Sequence, residues 1–351
     1  MLDFCEVGIS ATSERILRFS RENVSYLANI FLPEVNETRG GALTHIQQME
    51  VFLRSLGDPG FQLGVGLDVG IHQTTVSKII DKVSREICSK KNQWVKFPAT
   101  GAMFNRAKDE WAAHNTIPHV IGAIDCTHVK IIKPYVHGDE YINRKGVSTI
   151  NVQATCNSRE MFTSVDASWP GSVHDSRIWY NSPIYPIMYN NQKRVCLLGD
   201  SGYGVTPWML TPFKDPITNI QKYFNRIHAR ERVIIERCFG QLKTRFPMLN
   251  YTIRLKTDRT CRYIMCAFIL HNCAKFLNDP DEHFDEMNIE EEAVMPELYA
   301  EPNNGEVRRR GIQFRNEIAT LYRCTDSVEK VNKYLDCLDF IHIYFMKVLT
   351  K

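Results

Sequence analysis

The sequence predicts an α/β fold, a mixed sheet flanked by helices with an all-α module ahead of it. Three observations carry this. Residues 120–132 (VIGAIDCTHVKII) form a continuous, largely β-branched run, the pattern of a central strand covered on both faces. Short strand-like runs broken by turn residues follow it, at 151–156, 161–167 and 195–198. Helical periodicity stands on either side, from about 44 to 87 before the strand and from about 229 to 277 after it.

With 351 residues, 44% hydrophobic and 24% charged, the chain has the make-up of an ordinary globular protein with room for one large domain and a smaller one. Its 11 cysteines are odd in number and scattered, with no Cys-x-x-Cys pair, which argues against a disulfide framework and for a reducing compartment. The first residues, MLDFCEVGISATSERILRF, lack a basic region followed by an apolar core, and no uncharged apolar run reaches bilayer length. An intracellular, soluble protein with no membrane partner is expected. Net charge is +3, yet residues 279–306 hold 11 acidic and no basic residues, which puts the rest of the chain at +14. Such a body suits a polyanion such as nucleic acid, with an ordinary solvated surface as the alternative.

Taken in order, residues 1 to about 40 read as a helical lead-in ending at Pro33. Thr44-His45-Ile46-Gln47 is a capping-box pattern that opens a helix with Ile46, Met49, Leu53 and Leu56 on one face, stopping at Gly57-Asp58-Pro59-Gly60. After Gly70 a second helix buries Val76, Ile79, Ile80, Val83 and Ile87 and turns Gln73, Thr74, Thr75, Ser77, Lys78, Lys82 and Arg85 outward. Gly70 stands where a helix-turn-helix places its turn, and the outward groups are of the kind that reach phosphates and base edges. A plain pair of antiparallel helices with a solvated face is the other reading. The expected divisions are a helical region over 1–98 with the helix-turn-helix at about 44–90, an α/β domain over 115–278, an acidic disordered linker over 279–306, and a C-terminal helix with an unplaced tail over 307–351.

Asp125 is the conspicuous residue of the central strand, because a carboxylate in such a run costs several kcal/mol unless it is compensated. Two further carboxylates are candidates to meet it. Asp200 lies in Gly199-Asp200-Ser201-Gly202 at the end of an apolar strand, where open α/β sheets present functional side chains; a turn or helix-capping Asp is the alternative. Glu236 lies at the edge of the stripe Ile235, Cys238, Phe239, Leu242 and Phe246, along the seam between helix and sheet; a surface ion pair with Arg232 is the alternative. Residues 221–245 hold seven basic and two acidic residues, so Arg226, Arg230, Arg232 and Lys243 are candidates to hold a DNA backbone. Cys261, Cys266, His271 and Cys273 fit no standard zinc spacing and read as core groups.

Two strand carboxylates and one from a helix would make an all-oxygen site suited to Mg²⁺ or Mn²⁺. A pair of such ions roughly 4 Å apart can activate water or a 3′-hydroxyl and stabilise the leaving oxygen of a phosphodiester. On strand alternation Thr127 shares the face of Asp125, a supporting position, while His128 points away and is structural.

The successive segments GAIDCTH (122–128), NRKG (143–146), WPGSVHDS (169–176), LGDSGY (198–203), IERCFGQLK (235–243) and LHN (270–272) resemble the motifs of Harbinger-type transposases and the Harbinger transposase-derived nucleases, in the same order and over about residues 15–324. The resemblance implies a ribonuclease-H-like catalytic domain behind a helix-turn-helix, with Asp125, Asp200 and Glu236 as the metal-binding triad and Asp175 as a supporting acid. It also implies double-stranded DNA as substrate, a Myb-like accessory protein that aids DNA binding and nuclear import, action in the nucleus and also the cytoplasm, and a homo-oligomer among the expected assemblies. Ile117-Pro118-His119 departs from the usual aromatic-Pro-Gly, and the tail after Cys324 has no counterpart. The function expected is metal-dependent DNA cleavage, with or without strand transfer; the alternative is a domesticated, non-catalytic DNA-binding or adaptor protein that keeps the fold.

Overall fold

The computed structural model describes residues 16–35, 43–57, 62–191, 194–279 and 305–322. The expected disordered linker, apart from its two ends, and the tail after residue 322 lie outside the described residues.

Among the described residues, six helices precede the sheet: α1 (Arg21–Phe31), α2 (His45–Gly57), α3 (Gln62–Val69), α4 (Gln73–Ser89), the single turn α5 (Lys91–Trp94) and α6 (Gly101–Ala112). The capping box before α2 forms as read, with the Thr44 hydroxyl accepting from the Gln47 amide at 3.2 Å and the Gln47 side chain accepting from the Thr44 amide at 2.9 Å. Between α3 and α4 the chain turns at Gly70, whose φ of +71° suits a residue without Cβ. Helix α4 buries Val76, Ile79, Ile80, Val83 and Ile87, the stripe its sequence predicts.

The sheet is mixed, in the order β3-β2-β1-β4-β5. Strand β1 (Val120–Lys130) is central, β2 (Thr149–Cys156) and β3 (Phe162–Pro170) run antiparallel beside it, and β4 (Cys196–Leu198) and β5 (Met209–Leu210) are parallel on its other side. Gly122 lets β2 come close: a Cβ there would stand 2.3 Å from the Cys156 carbonyl oxygen. Both faces of β1 are covered, which accounts for its unbroken apolar run. On one face Ile121 and Ile124 pack with Trp179 of α7 (Asp175–Asn181), Met188 of α8 (Tyr185–Asn190), Tyr203 and Trp208. On the other, Ala123 and Val129 join a core shared with α9 (Asn219–Arg245), α10 (Thr257–Leu277) and the N-terminal helices. Helix α9 begins ten residues before the periodicity alone indicates, because Thr218 and Gln221 form a capping box at its start. After α10, helix α11 (Gly305–Leu321) packs on the sheet edge, and no helix among the described residues is long and apolar enough to cross a membrane.

Two polar anchors fix α9. Near its end the buried Arg245 pairs with Asp279 at 2.9 Å, the side chains only 5% and 2% exposed, and Asp279 also accepts from the Ser20 amide at 3.1 Å and the Asn23 side chain at 2.5 Å. Near its middle the buried Glu231 accepts from the Trp111 indole at 3.1 Å, the Thr116 amide at 2.6 Å, the Thr116 hydroxyl at 2.9 Å and the Ile117 amide at 3.1 Å. This carboxylate ties the end of α6 and the approach to β1 onto α9. His119, in the same approach, has φ +66°, the left-handed region that a residue without Cβ adopts with less strain.

Three outcomes follow. Glu231→Ala strands two buried donors, the Trp111 indole and the Ile117 amide, besides the two on Thr116, and is expected to lower the unfolding free energy by about 3 kcal/mol in urea titration; a loss below about 1 kcal/mol would contradict the anchor. His119→Gly removes a left-handed strain and is expected to raise it by about 1 kcal/mol. The buried His271 ring, donating from Nε2 to the Glu160 carbonyl at 2.9 Å, is held by burial at a pKa of about 3. The unfolded chain therefore takes up a proton near pH 6.5 before the folded one does, so this ring's contribution declines as pH falls from about 6.5 toward 3. The stability difference between wild type and His271→Gln should shift against wild type by up to about 1.4 kcal/mol per pH unit over that window; a pH-independent difference refutes it.

Candidate active site

The sheet's parallel half brings the first two carboxylates together. Ala123 of β1 pairs with Leu198 of β4, and each strand runs on two residues to an acid, Asp125 and Asp200. Asp200 also caps the turn 201–203, its Oδ1 accepting from the Gly202 amide at 3.0 Å, so the capping role and the site position coexist. Helix α9 brings the third. Ile235 is fully buried in the core, which sets the rotation of the helix and leaves Arg232 and Glu236, one turn apart, along the seam with the sheet.

Arg232 stands in the middle of the group. Its Nη1 donates to Asp125 Oδ2 at 3.0 Å, and its Nη2 donates to Glu236 Oε1. One guanidinium thus binds a carboxylate from β1 and another from α9, with the three side chains 21%, 20% and 31% exposed. The sequence counts Arg232 among the DNA contacts; the structure places it inside the acidic group.

Burial pushes the Asp125 carboxyl up to about 7 against the pull of Arg232, and the charges of Asp200 and Asp175 push the same way. Burial and the charge of Asp175 raise Asp200 as well. Burial works against the charge on Arg232, but Asp125, Glu236 and Asp200 outweigh it and hold the guanidinium above its ordinary value. The site is a place where like charges crowd and one cation moderates them.

Asp175 opens α7, its Oδ1 accepting from the Asn151 side chain at 2.9 Å, while Gln153 donates to its backbone carbonyl at 3.2 Å. Gln153 also reaches the Tyr203 hydroxyl at 3.4 Å, and that hydroxyl lies 3.3 Å from the Cys126 sulfur. These groups brace the strand beside Asp125. Thr127 is buried, and His128 contacts the Thr149 hydroxyl at 2.9 Å.

The donor chemistry suits a divalent cation, being hard oxygen in a net negative setting. As they stand, however, no three acidic, histidine or cysteine side chains among the described residues are gathered closely enough to hold one. The guanidinium of Arg232 takes the bridging place between Asp125 and Glu236.

The expected DNA-contacting residues are distributed over two helices. Gln73, Thr74, Thr75, Lys78, Lys82 and Arg85 are all exposed on α4; Lys82 donates to Gln48 at 2.9 Å and Arg85 pairs with Asp81 at 3.1 Å. Arg226 and Arg230 are exposed on α9, and Lys243 is half-buried. Sequence reasoning missed Glu231. The available signal is that α9 is strongly basic, so each of its two acids needs a specific reason to be there.

The family described as DDE superfamily endonuclease matches residues 124–272. The chain is 29% identical over 260 residues to "Putative nuclease HARBI1" of Rattus norvegicus and 28% identical over 260 residues to the Homo sapiens protein of that name, in each case covering 72% of this chain and 74% of the relative. It is 24% identical over 309 residues to "Protein ALP1-like" of Arabidopsis thaliana, covering 81% of this chain and 75% of that protein. No solved structure matches the chain. The matched stretch begins one residue before Asp125, contains Asp200 and Glu236, and ends in the helix that closes the core; over it the chain is similar to the DDE superfamily endonucleases.

Proposed function

We propose that this chain is a metal-dependent DNA endonuclease of the transposase type, cutting phosphodiester bonds with Asp125, Asp200 and Glu236. The observation that carries the reading is that one guanidinium joins Asp125 of β1 to Glu236 of α9, with the charge of Asp200 at the end of β4 acting on it as well, within the stretch similar to the endonuclease family. Superfamily endonucleases generally use divalent metals. Mg²⁺ or Mn²⁺ held by the three carboxylates would supply water activation and stabilisation of the leaving oxygen. The residues' own share is positional. Asp125 and Asp200 project from adjacent parallel strands and Glu236 from a helix anchored by Glu231, so the negative field is preorganised where a phosphodiester would react.

In this reading residues 44–90, with α2, α3, the Gly70 turn and α4, are the helix-turn-helix module, with Gln73, Thr74, Thr75, Lys78, Lys82 and Arg85 toward double-stranded DNA and Arg226, Arg230 and Lys243 toward the backbone nearer the cut. The helical region would span 1–98 and the ribonuclease-H-like domain 115–278. A Myb-like accessory protein, a nuclear location with some cytoplasmic presence, and self-association complete the proposal. One observation favours a second reading, a DNA-binding protein that keeps the fold without cleavage: the site rests in an ion-paired state, with Arg232 already engaging Asp125 and Glu236.

Purified full-length chain with Mg²⁺ or Mn²⁺ and a DNA duplex separates the two. Cleavage is expected, and Asp125→Asn, Asp200→Asn and Glu236→Gln should each reduce it by at least about a hundredfold while leaving DNA retention intact. Retention with no metal-dependent product supports the second reading. Cleavage indifferent to all three substitutions overturns the site.

A further inference from the structure

We propose that Arg232 is the resident cation of the acidic site, and that a divalent metal and this guanidinium compete for Asp125 and Glu236. The inference rests on the metal-dependent reading above. Its basis is geometric: the two outer nitrogens of one guanidinium are committed to carboxylates from two different elements, at 3.0 Å on Asp125 Oδ2 and in direct contact with Glu236 Oε1. Those are two of the three oxygen donors that the ion requires, and in this arrangement no three donors are gathered to receive it.

The competition follows from charge and from lone pairs. A planar guanidinium matches carboxylates by a forked pair of N–H donors, and here the fork is split between two partners. A dication on the same oxygens would meet that positive charge at contact distance, so the two cannot share the pair. Without any cation, Asp125, Asp200 and Glu236 would repel one another in a partly buried setting, so a protein that must exist before its metal arrives needs a substitute there. Arg232 fills that need.

The arrangement also gives the arginine a second position. Arg232 is tethered to α9 one turn before Glu236, so when displaced it stays beside the metal carboxylates, where a phosphate oxygen of the bound DNA would be its natural partner. Metal loading would therefore move one positive charge from the enzyme's own carboxylates to the substrate. The same exchange keeps the site closed until metal and phosphate are both present.

The test is Mn²⁺ binding to the full chain, followed by electron paramagnetic resonance of free Mn²⁺, alongside thermal melting with and without Mn²⁺. Arg232→Gln is expected to bind Mn²⁺ at least about fivefold more tightly than wild type, to melt lower in metal-free buffer, and to show a larger Mn²⁺-induced rise in melting temperature. Arg232→Lys keeps the charge without the fork and should fall between the two. DNA cleavage by Arg232→Gln should drop even as its metal binding tightens, a pairing of opposite effects that a merely structural arginine would not give. Unchanged or weakened Mn²⁺ binding in both arginine variants, each folded by circular dichroism, overturns the competition. Asp125→Asn separates the two levels of inference. If it abolishes Mn²⁺ binding while the arginine variants behave as wild type, only the role of Arg232 fails; if it leaves Mn²⁺ binding untouched, the metal site itself fails.

Discussion

One guanidinium, that of Arg232, joins carboxylates from β1 and α9 while the charge of Asp200 at the end of β4 acts on it, and the cost of bringing those like charges near one another governs the site. A partly buried acid is tolerated when an opposite charge and hydrogen bonds offset its lost hydration. Asp125 has two offsets, Arg232 at 3.0 Å and the Cys126 amide at 2.8 Å, and its raised pKa records that together they are incomplete. Asp200 relies on the amides of its own turn, and Asp175 on Asn151. Arg245 and Asp279, by contrast, offset each other in a buried pair with further hydrogen bonds to the backbone. The incomplete offset at Asp125 falls within the stretch similar to the endonuclease family, and perturbed carboxylates of this kind cluster at functional sites.

Helix α9 measures out that arrangement. Four residues within six positions face three different tasks: Glu231 holds the approach to β1, Arg232 and Glu236 face Asp125, and Ile235 enters the core. A rotation of the helix that moved Glu236 away from the sheet would also pull Glu231 from its donors and expose Ile235. The position of the third carboxylate is thus enforced by an apolar contact and a structural acid, neither of which takes part in the chemistry.

Much of this was legible in the sequence, for reasons that differ by residue. Asp125 stood out because a charge inside a β-branched run is rare and costly, and Glu236 because helical periodicity puts it at the edge of a buried stripe. The pairing of β1 with β4 was not legible, since strand order beyond hairpins depends on long-range packing that local pattern does not encode. The contact of Arg232 with Asp125 was not legible for a related reason. On a helix of seven basic residues the arginines look alike, and only the neighbouring strand, supplying Asp125 at 3.0 Å, singles one out. Glu231 was silent because its four donors come from residues 111–117, more than a hundred positions away.

The N-terminal helices are bound to the α/β part by more than apolar contact. Asp81, on the half-buried side of α4, pairs with Arg262 at 2.8 Å and Arg259 at 3.4 Å from α10, and Cys88 lies 3.7 Å from Cys266 across the same interface. Tyr263 meets Ser55 of α2 at 2.6 Å. Helix α10 in turn packs on β3 and α9, so the polar face of α4 is joined through two layers of side chains to the helix that carries Arg232 and Glu236. If DNA is held on α4 as proposed, it is held by the same rigid body that positions the carboxylates. Selection of the cut site would then depend on how the duplex bends between two fixed points, with sequence-dependent deformability contributing alongside base contacts.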